Sequence, residues 1–328
     1  MEKLNLYSLD ERYNKLYPKD DMIAVTTSNG IKKYSSSEFV EISNKLASAL
    51  IELGVKKQDK ICIVSPNRPE WSLLDMSISK VGAINAPIYP NITREEYKYI
   101  INDCGAKLVF VGSNDIYQNV KGLVEEIDCL DEIISFDNLK NLRNFNDLID
   151  LGSKKNNKQK IFEIQNSINE EDLFTLIYTS GTTGNPKGVM LSHKNVLSQV
   201  KAVKNLLPVG INDRAISFLP LCHVFERMVE YFYMYTGVSI YYSRGIDYIG
   251  DDLKIIKPTI MPTVPRLLEK VYDKILTKGN ELKGLKRLLF FWAVNLGLNH
   301  KYNKKNGLLY ELQLSIANKL IFNKWREA

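Results

Sequence analysis

Short apolar runs rich in β-branched residues recur along this chain, with helical patterns of roughly ten to fifteen residues between them. That alternation narrows the fold more than any other feature. From Ser35, the stretch SSSEFVEISNKLASALIELG sets Ser35 and Glu38 in a capping-box relation and places apolar residues at 39, 42, 46, 50 and 53 ahead of Gly54. This predicts an amphipathic helix with both ends marked. ICIV (61–64), a helix from Pro69 to Val81, NAPIY (85–89), a helix opened by Thr93 with Glu96 as its reciprocal cap, and KLVFV (107–111) follow. Strands separated by helical crossovers pair in parallel, and runs that are apolar throughout suit a sheet covered on both faces.

The rhythm lapses over residues 138–170, as in GSKKNNKQK (152–160), and then resumes. FTLIY (174–178), a helix from His193 to Leu206, AISFLPL (215–221), a helix through Tyr231, VSIYY (238–242), a helix from Asp247 to Lys257, PTIM (258–261) and a helix from Arg266 complete the series. The expected fold class is α/β: two stacked, mostly parallel sheets flanked by helices. The lapse predicts two subdomains, residues 1–160 and 161–328.

Composition excludes several alternatives. The cysteines Cys62, Cys104, Cys129 and Cys222 form no CxxC pair and the three histidines are dispersed, so neither a disulfide framework nor a zinc site is indicated. The net charge of +6 comes from 44 basic residues spread among 38 acidic ones, which suits anionic small molecules better than a nucleic-acid groove. The N-terminus MEKLNLYSLDERYNKLY lacks the apolar core of a signal peptide, and no run approaches the ~20 apolar residues of a spanning helix. A cytoplasmic protein is expected.

The chemistry is concentrated in LIYTSGTTGNPKGVMLSH (176–193). A strand-like run leads into a loop of glycines and hydroxyls, where unpaired amides and Thr/Ser side chains can converge on phosphate oxygens. Thr179, Ser180, Thr182 and Thr183 supply donors, Gly181 and Gly184 permit close backbone approach, and Lys187 adds a mobile charge. The blander reading is a polar surface loop, although such loops seldom stand between a strand-like run and a helical pattern. A Walker A loop is excluded, because it needs Gly before the Lys and Ser/Thr after it, where this chain has Pro186 and Gly188.

YTSGTTGNPKGVMLSHKN resembles, almost position for position, the signature of the AMP-forming adenylate ligases, the superfamily of acyl-CoA synthetases. NRPEW (67–71), GAINAPIYPNIT (82–93), FLPLCHVFERM (218–228) and KPTIMPTVPRLLEKVYDKI (257–275) are similar to segments of the long-chain fatty acyl-CoA synthetases, in the same order. The resemblance implies activation of a long-chain fatty acid by ATP, through acyl-adenylate, to acyl-CoA, with Mg²⁺ sharing the phosphate charge and coenzyme A as co-substrate. It implies that Thr179, Ser180, Gly181, Thr182, Thr183, Gly184 and Lys187 hold the β- and γ-phosphates. His223 would lie near the substrate carboxylate and the α-phosphate. Glu226 and Arg227 would contact substrate, pair with each other, or orient their helix; Pro265 and Arg266 would be structural.

The superfamily's adenine-binding, metal-binding and ribose-binding segments, and its small lysine-bearing domain, have no counterpart in the 328 residues. NKLIFNKWREA resembles the helix that precedes them, so the chain is expected to be an N-terminal part and to be inactive alone. Two other functions stay open: a ligase for another carboxylic acid, and a non-catalytic remnant that binds nucleotide or an acyl group. KRLLFFWAVNLGLNHK (286–301) raises peripheral membrane contact, although apolar residues nearly all round a helix more often mean burial.

Overall fold

The computed structural model describes residues 5–155, 157–179, 184–301 and 306–327. The strands are β1 (Ile23–Thr27), β2 (Gly30–Tyr34), β3 (Lys60–Val64), β4 (Ile84–Ile88), β5 (Ala106–Val111), β6 (Glu132–Ser135), β7 (Leu173–Thr179), β8 (Lys187–Ser192), β9 (Arg214–Ser217) and β10 (Ser239–Tyr242). The helices are α1 (Leu9–Leu16), α2 (Ser36–Glu52), α3 (Pro69–Lys80), α4 (Arg94–Cys104), α5 (Asn114–Val120), α6 (Leu123–Glu126), α7 (Phe145–Lys154), α8 (Lys158–Ser167), α9 (His193–Lys204), α10 (Val224–Thr236), α11 (Ile249–Ile256), α12 (Pro265–Glu281), α13 (Gly284–Leu298), α14 (Leu308–Ala317) and α15 (Asn323–Glu327). Both capping boxes read from the sequence are present, Ser35 with Glu38 on α2 and Thr93 with Glu96 on α4.

The strands form a six-stranded sheet in the order β6-β5-β3-β4-β7-β8, parallel except for β8, and a four-stranded sheet in the order β2-β1-β10-β9, parallel except for β2. Period-two alternation decides which way each buried strand faces. Ile61 and Ile63 of β3 and Leu108 and Phe110 of β5 enter one core, which also takes Ile23 and Ile240 from the smaller sheet and apolar residues of α2, α3 and α10. Their neighbours Cys62, Val64, Val109 and Val111 enter a second core beneath α4 and α5. Burial on both faces explains why these strands read as continuous apolar runs.

The expected division at residue 160 does not hold. β7 and β8 complete a sheet begun by β3–β6, and β9 and β10 complete one begun by β1 and β2, so each sheet draws strands from both sides of that point. The compact units are Met1–Pro262 and Thr263–Ala328. Residues 138–170 are also more ordered than their composition suggests. They contain α7, with a capping box between Asn144 and Asp147, and α8. Gly152 weakens the helical pattern of α7, yet the close packing of α7 on α2 requires it, because a Cβ there would stand 1.8 Å from the Lys45 carbonyl oxygen. PTIM makes only a bridge between Ile260 and Ala215, since Pro258 and Pro262 supply no ladder amides.

The unit Thr263–Ala328 is helical. Ala293, Leu296 and Ala317 form its small core with Trp292, Tyr310, Leu314 and Phe322. Gly279 of α12 lies against the Phe290 ring of α13, so closely that a Cβ would come within 2.1 Å of it. Among the described residues no helix is long and apolar enough to cross a membrane.

Candidate functional site

β7 and β8, the strands on either side of the hydroxyl-rich motif, pair antiparallel with Thr179 opposite Lys187. α9 begins at His193, where the sequence pattern places a helix start, capped by Ser192 and Asn195; the strand β8 between the motif and that helix was not anticipated. Thr179, Gly184 and Lys187 are exposed, and Gly184 has φ +112°, a conformation that favours glycine. Ser180, Gly181, Thr182 and Thr183 lie outside the described residues.

The base of the hairpin is locked from one side. Tyr178 donates a hydrogen bond to Asp103 Oδ2 at 2.5 Å, and its ring lies across Gly188, where a Cβ would be 3.1 Å from Tyr178 Cζ. β7 runs parallel to β4, so Thr179 stands at the same carboxyl edge as Ile88, Val64 and Val111. Ligands of open α/β sheets bind outside that edge. A cleft of ≈ 410 Å³ opens where the carboxyl ends of β3, β4 and β5 face those of β9 and β10; Asn67, Tyr89, Asp115, Phe218, Pro220 and Arg244 are among its walls.

His223 is brought to this region by a clamp that the sequence did not advertise. The Asn67 amide donates to Ser217 Oγ at 3.0 Å and to the Leu219 carbonyl at 2.7 Å, and its Oδ1 accepts from the Leu221 amide at 3.0 Å. These three bonds fix the segment between β9 and α10. His223 is the exposed N-cap residue of α10, with its ring 5.9 Å from that of Tyr89 just beyond β4.

Glu226 and Arg227 turn into the core and do not pair with each other. Arg227 is 2% exposed. Its guanidinium donates to Asp75 at 2.5 and 3.2 Å, to Thr175 Oγ1 at 2.6 Å and to Tyr231 Oη at 2.7 Å. Tyr231 also donates to Asp75, and Asn85 donates to Asp75 at 2.7 Å. Burial pulls the guanidinium pKa down, and the Asp75 carboxylate more than offsets it. The cluster therefore joins α10, which His223 caps, to α3, β4 and β7. Asp75 and Thr175 carry no motif signal; an acidic residue set among apolar ones in LLDM (73–76) was the available clue.

Glu226 accepts from Ser217 Oγ at 2.6 Å through one oxygen, while its other oxygen has no partner. Burial pushes its pKa up to about 8, with nearby Glu230 adding to the rise. Glu230 is raised to about 7, again by burial, although it accepts from Tyr242 at 3.0 Å. Both are held as neutral acids at mildly acidic pH. Among the described residues no three His, Cys, Asp or Glu side chains gather so as to hold a metal ion.

The description "AMP-binding enzyme" matches residues 11–307. Curated relatives include a fatty acyl-CoA synthetase A of Dictyostelium discoideum, 31% identical over 87% of this chain and 43% of its own length. Long-chain-fatty-acid–CoA ligase 1 of Homo sapiens is 32% identical over 88% of this chain and 43% of its own length. The chain thus spans less than half the length of these relatives. Among solved structures, a long-chain-fatty-acid-CoA ligase from Archaeoglobus fulgidus superposes with TM-score 0.71 at 21% identity, over 84% of this chain and 54% of that one. A Mycobacterium tuberculosis fatty acyl CoA synthetase gives 0.65 at 20%, over 81% and 50%.

Proposed function

The chain belongs to the AMP-binding enzyme family, and from that premise we propose that it supplies the triphosphate grip and the carboxylate-facing side of a long-chain fatty acid–CoA ligase. In that reaction a carboxylate oxygen bonds to the α-phosphorus of ATP while the bond to the bridging oxygen breaks. Pyrophosphate leaves with the electron pair, and the thiol of coenzyme A then displaces AMP. The protein's share of the first step is positioning and charge stabilisation.

In this reading the amides and hydroxyls of Thr179, Ser180, Gly181, Thr182, Thr183 and Gly184 donate to β- and γ-phosphate oxygens. Lys187, opposite Thr179 in the hairpin register, adds positive charge where pyrophosphate gains negative charge on leaving. His223 donates to the carboxylate and α-phosphoryl oxygens from the head of α10. Arg227 and Glu226 act from beneath as positioning residues, through the helix they share with His223. Mg²⁺ would accompany the triphosphate and share its charge, with the phosphates as its main ligands.

The observation that carries the reading is the Arg227 cluster: it ties the helix that presents His223 to the strand that ends in the loop. The fatty acyl-CoA relatives supply the substrate class, and coenzyme A follows from the same likeness. Calorimetric titration of the chain with non-reactive acyl-sulfamoyl adenosines tests it. A palmitoyl analogue should bind at least about ten-fold more tightly than an acetyl one, because each buried methylene contributes ~0.8 kcal/mol. Lys187→Met should leave the sulfamoyl analogues unaffected while weakening pyrophosphate. Equal affinity for the two analogues would point to another carboxylic acid, and absence of pyrophosphate binding would sink the phosphate grip.

A further inference from the structure

We propose that the corner between α12 and α13 is a docking surface for a bilayer carrying anionic lipid. The inference does not rest on the ligase reading. Residues 263–328 contain 13 basic and 5 acidic side chains, a net charge of +8, whereas the whole chain carries +6, which leaves residues 1–262 at −2. The chain's excess positive charge therefore belongs to the helical unit Thr263–Ala328.

Within that unit the corner sets apolar side chains among the cations. Leu285 and Leu288 are 71% and 70% exposed and lie three residues apart on the first turns of α13, so they share one side of the helix. Lys283, Lys286 and Arg287, all exposed, alternate with them, and exposed Lys278 lies in the last turn of α12. Arg287 braces the corner, donating to Asn280 at 3.4 Å with its guanidinium 5.7 Å from the centre of the Phe291 ring. Glu281 is the one acidic residue between Lys278 and Leu288.

One exposed leucine would need no explanation. Two on neighbouring turns, interleaved with cations, match the chemistry of a membrane interface. Each cation near an anionic leaflet contributes about 1 kcal/mol, and leucines can enter the boundary between headgroups and acyl chains. Further along α13, Phe290 packs against Gly279, while Trp292, Ala293 and Leu296 join the unit's small core; Leu298 is exposed at the far end, away from the lysines of the corner. The contact therefore runs through the Leu285–Leu288 corner and not through Trp292. A second copy of the chain is a poorer occupant, because two such corners would bring like charge together.

Vesicle flotation of the chain, with phosphatidylcholine alone and with added phosphatidylglycerol, at low and high salt, tests the assignment. The chain should float with the anionic vesicles only, and salt should release it. Leu285→Glu with Leu288→Glu should lower partitioning at least about ten-fold without changing the thermal melt, since both side chains are exposed. Lys283→Glu, Lys286→Glu and Arg287→Glu together should remove the preference for the anionic lipid, whereas Lys140→Glu should have little effect. The proposal fails if the chain ignores anionic vesicles or if the leucine pair variant still floats. It also fails if that variant changes only the molecular mass in sedimentation equilibrium, which would mark a self-association surface.

Discussion

Replacing Glu226 by Gln should change how stability depends on pH. Burial and Glu230 raise the Glu226 pKa from 4.5 to about 8. Between those values the folded protein holds a proton that the unfolded chain releases, so stability falls as pH rises through that window. The contribution is fully present below about pH 4.5 and lost above about pH 8. At 1.36 kcal/mol per unit the loss amounts to roughly 3 to 5 kcal/mol. Gln keeps the oxygen that accepts from Ser217 and cannot ionise, so its stability should be nearly flat where the wild type declines, apart from the smaller decline due to Glu230. Urea unfolding across pH 5 to 9, read by amide exchange along α10, measures this. The variant should match or fall slightly below the wild type at pH 5 and exceed it by several kcal/mol at pH 9. Parallel curves would refute the reasoning, since they would mean that Glu226 is already ionised near pH 5.

Two further outcomes follow from the same region. Arg227→Met removes the cationic partner of the buried Asp75, leaving it only Tyr231 and Asn85, and should cost about 3–5 kcal/mol in denaturant unfolding, whereas Asp75→Asn with Arg227→Met should recover part of that loss. Asn67→Ala removes three hydrogen bonds to the segment before His223; it should cost about 1–3 kcal/mol and broaden the His223 ring resonances in NMR.

Much of the fold could be read because the elements obey local rules. The capping boxes at Ser35 and Thr93 fix two helix starts, and the doubly buried β3 and β5 announce themselves as apolar runs. What local rules cannot supply is which strands share a sheet. β7 lies beside β4, and β1 lies beside β10 more than two hundred residues away, so a lapse in pattern near residue 160 marked no boundary. The helices α7 and α8 escaped notice because Asn, Lys and Gly152 dilute their apolar faces.

The site divides the same way. TSGTTG stands out through composition, whereas β8 after it went unread, because Lys187–Ser192 are exposed or half-buried and only their pairing with β7 makes them a strand. Arg227 was visible as part of FLPLCHVFER; its partner Asp75 lies 152 positions away, beyond the reach of any spacing rule.

The claim that the Thr179–Lys187 hairpin grips a triphosphate can be tested by photolabelling the chain with ATP that carries a photoreactive group on its γ-phosphate, followed by peptide mapping. The account predicts label within residues 179–187, displaced by pyrophosphate and sharply reduced in Lys187→Met. Label that maps elsewhere, or that persists unchanged with pyrophosphate or without Lys187, would contradict it.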